Sequence, residues 1–168
     1  MRHWVLNAEV AGGYARLDPA AHLAELAAGL GLDGEGIGML TAARVDRVQV
    51  TEDGGVSVAA TVGLTHPVWA AAPAAEVGAG AAPVGTINIV VLLPARLSEA
   101  ALVNAVATVT EAKSQAIGDA GLEATGTPTD AVCVLCPADG PADAFCGPRS
   151  RWGAPVARAV HAAVFAGS

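Results

Sequence analysis

The apolar positions change rhythm several times along the chain, and each rhythm predicts an element. HWVLNAEV, residues 3–10, holds a Trp-Val-Leu run and a later valine before AGGY, which predicts a short strand ending in a turn. In LDPAAHLAELAAGLGLDGEG, Asp18 precedes Pro19 and Leu23, Leu26 and Leu30 recur at helical spacing, predicting a helix over roughly 19–30. Val45, Val48 and Val50 precede TEDGG while Val56, Val58, Thr61 and Val62 follow it, the arrangement of a hairpin. GTINIVVLLP, residues 85–94, is a continuous β-branched run, as in a strand buried on both faces near the middle of a sheet. LSEAALVNAVATVTEAKSQAIGDAG opens on Ser98 as an N-cap, ends at a glycine, and carries Leu102, Val106, Val109, Ala116 and Ile117 on one helical face. AVCVLCP then predicts a second central strand, and RSRWGAPVARAVHAAVFAG a last helix with a seam through Val156, Val160 and Val164. From Pro67 to Pro83 the chain is alanine, glycine and proline with little periodicity, a long loop of the kind that often has a function.

The predicted order of strand, helix, hairpin, strand, helix, strand, helix places the fold in the α+β (mixed α/β) class. The expectation is a single domain over residues 1–168, a mixed β-sheet with a hairpin and three helices packed on it in two or three layers.

Composition narrows the picture. A chain of 168 residues can bury a continuous core without metal or disulfide staples. Its 53% hydrophobic content includes 39 alanines and only 4% of the chain is aromatic, so the core is built from small side chains. One lysine and eight arginines against sixteen acidic residues give a formal charge of −7, which argues against nucleic acid as a partner. The apolar runs are interrupted well short of a membrane span, so no membrane partner and no export are expected. Three cysteines, an odd number, suit a reducing compartment, and the cytoplasm is the expected location.

Candidate chemistry gathers in a few stretches. On the long helix Asn104, Thr108, Glu111 and Gln115 fall along one stripe with Lys113 to the side; the alternative to a site is a solvated face. Asn88 is the single polar interruption of GTINIVV, and it either meets a structural need for partners or faces a ligand. In ATGTPTDAV, Gly126 lets the backbone bend so that amides and the hydroxyls of Thr125, Thr127 and Thr129 converge, with Asp130 as acceptor, base or orienting group; a plain capped turn is the alternative. No threonine is selected as nucleophile over activated water, because the sequence fixes no hydroxyl-to-base distance.

Cys133 and Cys136 form a CxxC whose members point to opposite faces of a strand, the wrong geometry for pinching a metal unless the strand ends early, so a zinc site with Cys146 and His161 is the lesser reading. His66 and His161 are candidate general acids, or ordinary packing residues. Ser150 sits where it can cap the last helix, with Arg149 and Arg151 beside that helix's positive end, either as an anion or carboxamide seat or simply as solvated charges.

GIGMLTAA, TVGLTHPVWA, GTINIVVLL, TEAKSQAI, ATGTPTDAVCV and GPRSRWG…ARAVHAAV, in that order over roughly residues 36–166, resemble the adenosylcobinamide amidohydrolase family of corrinoid salvage. The resemblance implies hydrolysis of the amide joining the corrin's propionyl arm to aminopropanol, releasing adenosylcobyric acid. It implies a corrinoid as substrate and no further cofactor, and leaves any metal requirement open. It brings no assigned catalytic residues.

Amide hydrolysis needs an activated attacker, donors for the oxyanion and a proton for the departing amine. Combined with the residues, the resemblance implies Glu111 or Asp130 as the base acting on water or on Thr125 or Thr127. Residues and resemblance read together also suggest Gly126 amides and Asn88 at the oxyanion, and Lys113 or His66 as proton source. Thr129, Trp69, Arg149 and Ser150 complete the substrate contacts, in a broad apolar cleft closed by the 67–83 loop or by a second subunit of a homo-oligomer. The alternatives are a non-catalytic corrinoid-binding protein and an amidohydrolase of the same fold acting on another amide.

Overall fold

The computed structural model describes residues 2–73 and 85–168; most of the loop expected over 67–83 lies outside them. Six strands and three helices follow the order β1 (Trp4–Glu9), α1 (Pro19–Gly29), β2 (Gly36–Thr41), β3 (Gln49–Asp53), β4 (Val56–Gly63), β5 (Thr86–Leu92), α2 (Glu99–Asp119), β6 (Ala131–Leu135) and α3 (Gly153–Gly167). The α+β class therefore stands, but the strands form two sheets rather than one. β1 and β2 pair in parallel through the α1 crossover, and the other four lie in the order β3-β4-β5-β6. In that second sheet β3-β4 and β4-β5 are antiparallel and β5-β6 parallel.

Strand alternation sorts the two faces of the four-stranded sheet. Val56, Val58, Ala60, Ile87, Ile89 and Val91 turn to one face and form a core with Ala101, Ala105 and Val109 of α2 and Val156, Val160 and Val164 of α3. The alternate residues Thr61 and Asn88 turn the other way, toward the β1–β2 pair. There the Asn88 amide donates to Asn7 Oδ1 at 2.8 Å and to the Leu40 carbonyl at 2.9 Å, and Asn7 Nδ2 donates to Thr61 Oγ1 at 3.0 Å. A short polar seam thus joins the sheets.

The expected hairpin is present. Gly54 and Gly55 turn between β3 and β4 with φ of 55° and 87°, a geometry that glycine adopts without a Cβ penalty. Val45 falls in a 3-10 turn ahead of it and not in the strand. Ser98 caps α2 by accepting from the Ala101 amide, as its sequence predicts. Asp18 holds the N-cap position of α1 without a capping bond, because its carboxylate pairs with Arg16 instead. β5 is central, as expected, whereas β6 is an edge strand and not a central one. Val106 of α2 is 43% exposed, so it does not belong to the buried face assigned to it. Among the described residues no helix is long and apolar enough to cross a membrane.

Candidate active site

The loop Ala124–Asp130 connects α2 to β6 and is fixed from three sides. Val68 bridges to Gly126, with the Val68 amide donating to Gly126 O at 2.8 Å and the Thr125 amide donating to Val68 O at 3.0 Å. Thr125 Oγ1 accepts from the Ala70 amide at 2.9 Å, and Ser114 of α2 has its hydroxyl 3.0 Å from Thr125 O. The third tether is Asp130, which carries the geometry of the site.

Asp130 Oδ1 accepts from the Ile87 amide at 2.9 Å and from Thr127 Oγ1 at 2.5 Å. Its Oδ2 accepts from the Thr127 amide at 3.0 Å and from Lys113 Nζ at 2.5 Å. A carboxylate offers about four lone-pair positions, so this one is saturated. The Lys113 and Asp130 side chains are 10% and 12% exposed, which makes theirs a buried ion pair. Gly126 passes directly over it: a Cβ there would stand 2.3 Å from Asp130 Oδ2 and 2.5 Å from Lys113 Nζ. The glycine of ATGT is required for that close approach.

One proton per hydroxyl orders the rest. Thr127 Oγ1 lies within reach of both Asp130 Oδ1 and the Gly85 carbonyl, and a proton given to the charged acceptor makes the stronger bond. Gly85 O then takes its hydrogen from Thr129 Oγ1 at 3.0 Å, and Thr86 Oγ1 donates to Thr129 Oγ1 at 2.8 Å. Thr86 and Thr129 also face a cavity of about 240 Å³ whose other walls are Val10, Ala11, Gly12, Tyr14 and the Leu40–Ala42 segment. Tyr14 stacks on His22 and its hydroxyl lies 3.1 Å from His22 Nδ1.

The structure brings together Lys113, Thr125, Gly126, Thr127, Thr129 and Asp130. Trp69, 55% exposed, follows the Val68 bridge at the outer side of the loop. His66 is half-buried, and its Nδ1 has no partner among the described residues.

Other expected residues lie elsewhere. Glu111 is exposed; Lys113 lies two positions later, about 200° around the helix, so the two point to opposite sides. Asn88 is 1% exposed and both its N–H groups are used in the inter-sheet seam. Ser150 Oγ accepts from the amide of Gly153, the first residue of α3, although the N-cap position itself falls to Trp152, which makes no side-chain capping bond, while Arg149 lines a separate groove of about 530 Å³ with Gln115, Asp119, Arg158 and His161. Asn104 and Thr108 do not form a ligand-facing stripe with Glu111: Asn104 Oδ1 accepts from the Cys146 amide and Thr108 Oγ1 bonds Cys146 O.

Cys136 packs with the α2–α3 core while Cys133 turns away from it, and all three cysteines are free. Burial pushes the Cys146 thiol up to about 11, with the nearby Asp143 charge adding to the rise. Among the described residues no three His, Cys, Asp or Glu side chains are grouped as metal ligands.

Thr86 and Ser114 belong to the site although the chemistry of their sequence surroundings did not single them out. Their signal was adjacency, Thr86 within GTIN and Ser114 immediately after Lys113.

Residues 1–168 match the family described as adenosylcobinamide amidohydrolase. The chain is 35% identical over 141 residues to an adenosylcobinamide amidohydrolase of Methanosarcina mazei, covering 82% of this chain and 66% of that protein. It is 36% identical over 132 residues to an adenosylcobinamide amidohydrolase of Halobacterium salinarum, covering 75% of this chain and 55% of the relative. The matched region thus spans just under two thirds of one relative and just over half of the other. No solved structure matches this fold significantly.

Proposed function

The chain belongs to the adenosylcobinamide amidohydrolase family, and from that premise we propose that it hydrolyses the amide between the corrin propionyl arm and aminopropanol of adenosylcobinamide, in the cytoplasm. The observation that carries the reading to named atoms is the row Thr127 Oγ1, Asp130, Lys113 Nζ, with both links at 2.5 Å. A hydroxyl beside a carboxylate that is itself oriented by a cation is the arrangement of an activated nucleophile.

In this scheme Thr127 Oγ1 attacks the amide carbon as its proton passes to Asp130 Oδ1. Lys113, with one of three N–H groups committed to Asp130, brings positive charge to the developing oxyanion. The carbon–nitrogen bond then breaks as Asp130 Oδ1 passes the proton taken from Thr127 to the departing amine. Water cleaves the threonyl ester, returning the hydroxyl and releasing the corrin carboxylate. The corrinoid enters as substrate, and no step calls on another cofactor. Asn88 and Glu111 stand outside the scheme, the first because its donors are used and the second because it is exposed.

The test is incubation with adenosylcobinamide and mass-spectrometric detection of 1-amino-2-propanol. Thr127→Val is expected to lower turnover by about two to four orders of magnitude in a folded protein, with Thr127→Ser retaining part of it. Wild-type turnover in folded Thr127→Val would remove the hydroxyl from the mechanism. Tight corrinoid binding without product would identify a carrier instead of an amidase.

A further inference from the structure

The cavity beside Thr86 and Thr129 is far too small for a corrin. A cavity of about 150 Å³ is enough to bind benzene, so one of about 240 Å³ accommodates roughly eight to ten non-hydrogen atoms. N-acylated aminopropanol, counted from the carbon preceding the carbonyl to the terminal methyl, is a group of about that size. Its walls match as well: Val10, Ala11, Tyr14, Leu40 and Ala42 give apolar surface for a branched three-carbon chain, and hydroxyls stand on one side.

Resting on the amidase reading, we propose that this cavity is the seat of the amino-alcohol arm, so that it selects the leaving group while the corrin stays outside. Proton counting assigns the polar contact. Thr86 Oγ1 gives its hydrogen to Thr129 Oγ1, which in turn donates to Gly85 O, so Thr86 keeps its lone pairs for an incoming donor. The hydroxyl of the amino alcohol is that donor. A plain alkylamine arm fills the same apolar volume and leaves Thr86 without it.

Thr129 thus stands between the arm and Thr127, which lies two residues earlier and bonds the same Gly85 carbonyl region. Thr129 is the neighbour of Asp130 in the same loop, so an arm seated against Thr86 and Thr129 lies beside that loop. The reacting bond and the selecting cavity are then adjacent parts of one site.

The probe is N-(2-hydroxypropyl)acetamide, a neutral fragment with the arm and the amide but no corrin, titrated with ligand-observed NMR and compared with N-propylacetamide. Wild-type protein is expected to bind the hydroxylated fragment about three- to tenfold more tightly, the ratio one neutral hydrogen bond supports. Thr86→Val should bring that ratio close to one, and Ala42→Leu, which fills the cavity, should abolish binding of both. Leu17→Ser, at a fully exposed position that does not line the cavity, should change neither. Thermal melts confirm that each variant is folded.

Absence of saturable binding to wild type, or equal binding to Ala42→Leu, overturns the proposal. Saturable binding together with no release of aminopropanol from adenosylcobinamide removes the amidase reading and leaves the amino-alcohol seat standing. Release that is indifferent to Ala42→Leu removes the seat and leaves the amidase.

Discussion

Replacing Lys113 with methionine tests whether the buried ion pair holds the candidate site together. The pair is 10% and 12% exposed, and Met keeps most of the lysine stem's volume, so the change removes chiefly the charge and its hydrogen bonds. Breaking a buried pair from one side typically costs about 3–5 kcal/mol, because the remaining charge is left uncompensated. Asp130 retains three other donors, the Ile87 amide, the Thr127 amide and the Thr127 hydroxyl, and this places the expectation at the lower end, about 3 kcal/mol. For a chain of this length that corresponds to a fall in Tm of roughly 6–12 °C.

Urea denaturation followed by circular dichroism measures the loss, and a cycle with Asp130→Leu isolates the coupling. A coupling energy of about 2 kcal/mol or more is expected, since residues in direct contact within one network are rarely additive. If Lys113→Met costs under about 1 kcal/mol and the double variant is additive, the pair does not fix the loop. The stability reasoning would then be wrong even if turnover fell.

Gly126→Ala should be destabilising by about 1–3 kcal/mol and should depress turnover, because the added methyl collides with Asp130 Oδ2 and Lys113 Nζ; a melt together with the aminopropanol assay reads both. Glu111→Gln should leave kcat and KM within twofold of wild type, and a large loss of turnover would show that the exposed side of α2 contacts substrate. The Asp53 carboxylate is held below its ordinary range chiefly by its hydrogen bond to Arg158. Its folded pKa is depressed, so the contribution is full above about pH 4, the usual carboxylate value, and disappears as the pH falls through the lower folded value. Melts of wild type and Asp53→Asn should therefore differ at pH 7 and converge in acid, with the gap narrowing in high salt.

Sequence patterns were readable where one physical cause set them. The GTINIVVLL run is buried from Gly85 to Ile89 because β5 is covered on both faces there, whereas Leu92 near its end is 49% exposed, and the Val156, Val160, Val164 seam is buried because α3 lies on the sheet. The same rule misplaced β6. An apolar run reports that its two faces are covered and says nothing of how many strands hydrogen-bond to its edges, so AVCVL read as central while lying at the rim. β2 was obscured in a different way. Gly36 and Gly38 in GIGMLT look like turn residues, but a Cβ at Gly36 would stand 1.9 Å from the Trp4 ring and one at Gly38 2.7 Å from Leu23. These glycines make room for neighbouring side chains within a strand.

The site was half legible for a similar reason. ATGTPTD signalled a loop of converging hydroxyls, and its glycine, threonines and aspartate do meet there. On α2 the polar pattern Asn104, Thr108, Glu111, Gln115 drew attention to the wrong stripe, since Thr108 faces inward to Cys146 while Glu111 and Gln115 are solvated. The informative feature was Lys113, four residues after Val109 and three before Ala116, which places the chain's single lysine on the apolar face. A lone cation on such a face must find a buried partner or remain uncompensated. Two carboxylates, Glu123 and Asp130, lie in the loop that follows α2 into β6, and the structure pairs Lys113 with Asp130, the one inside ATGTPTD. Helical phase together with the cost of burying charge therefore linked TEAK to ATGTPTD through one ion pair, a connection that neither motif shows by itself.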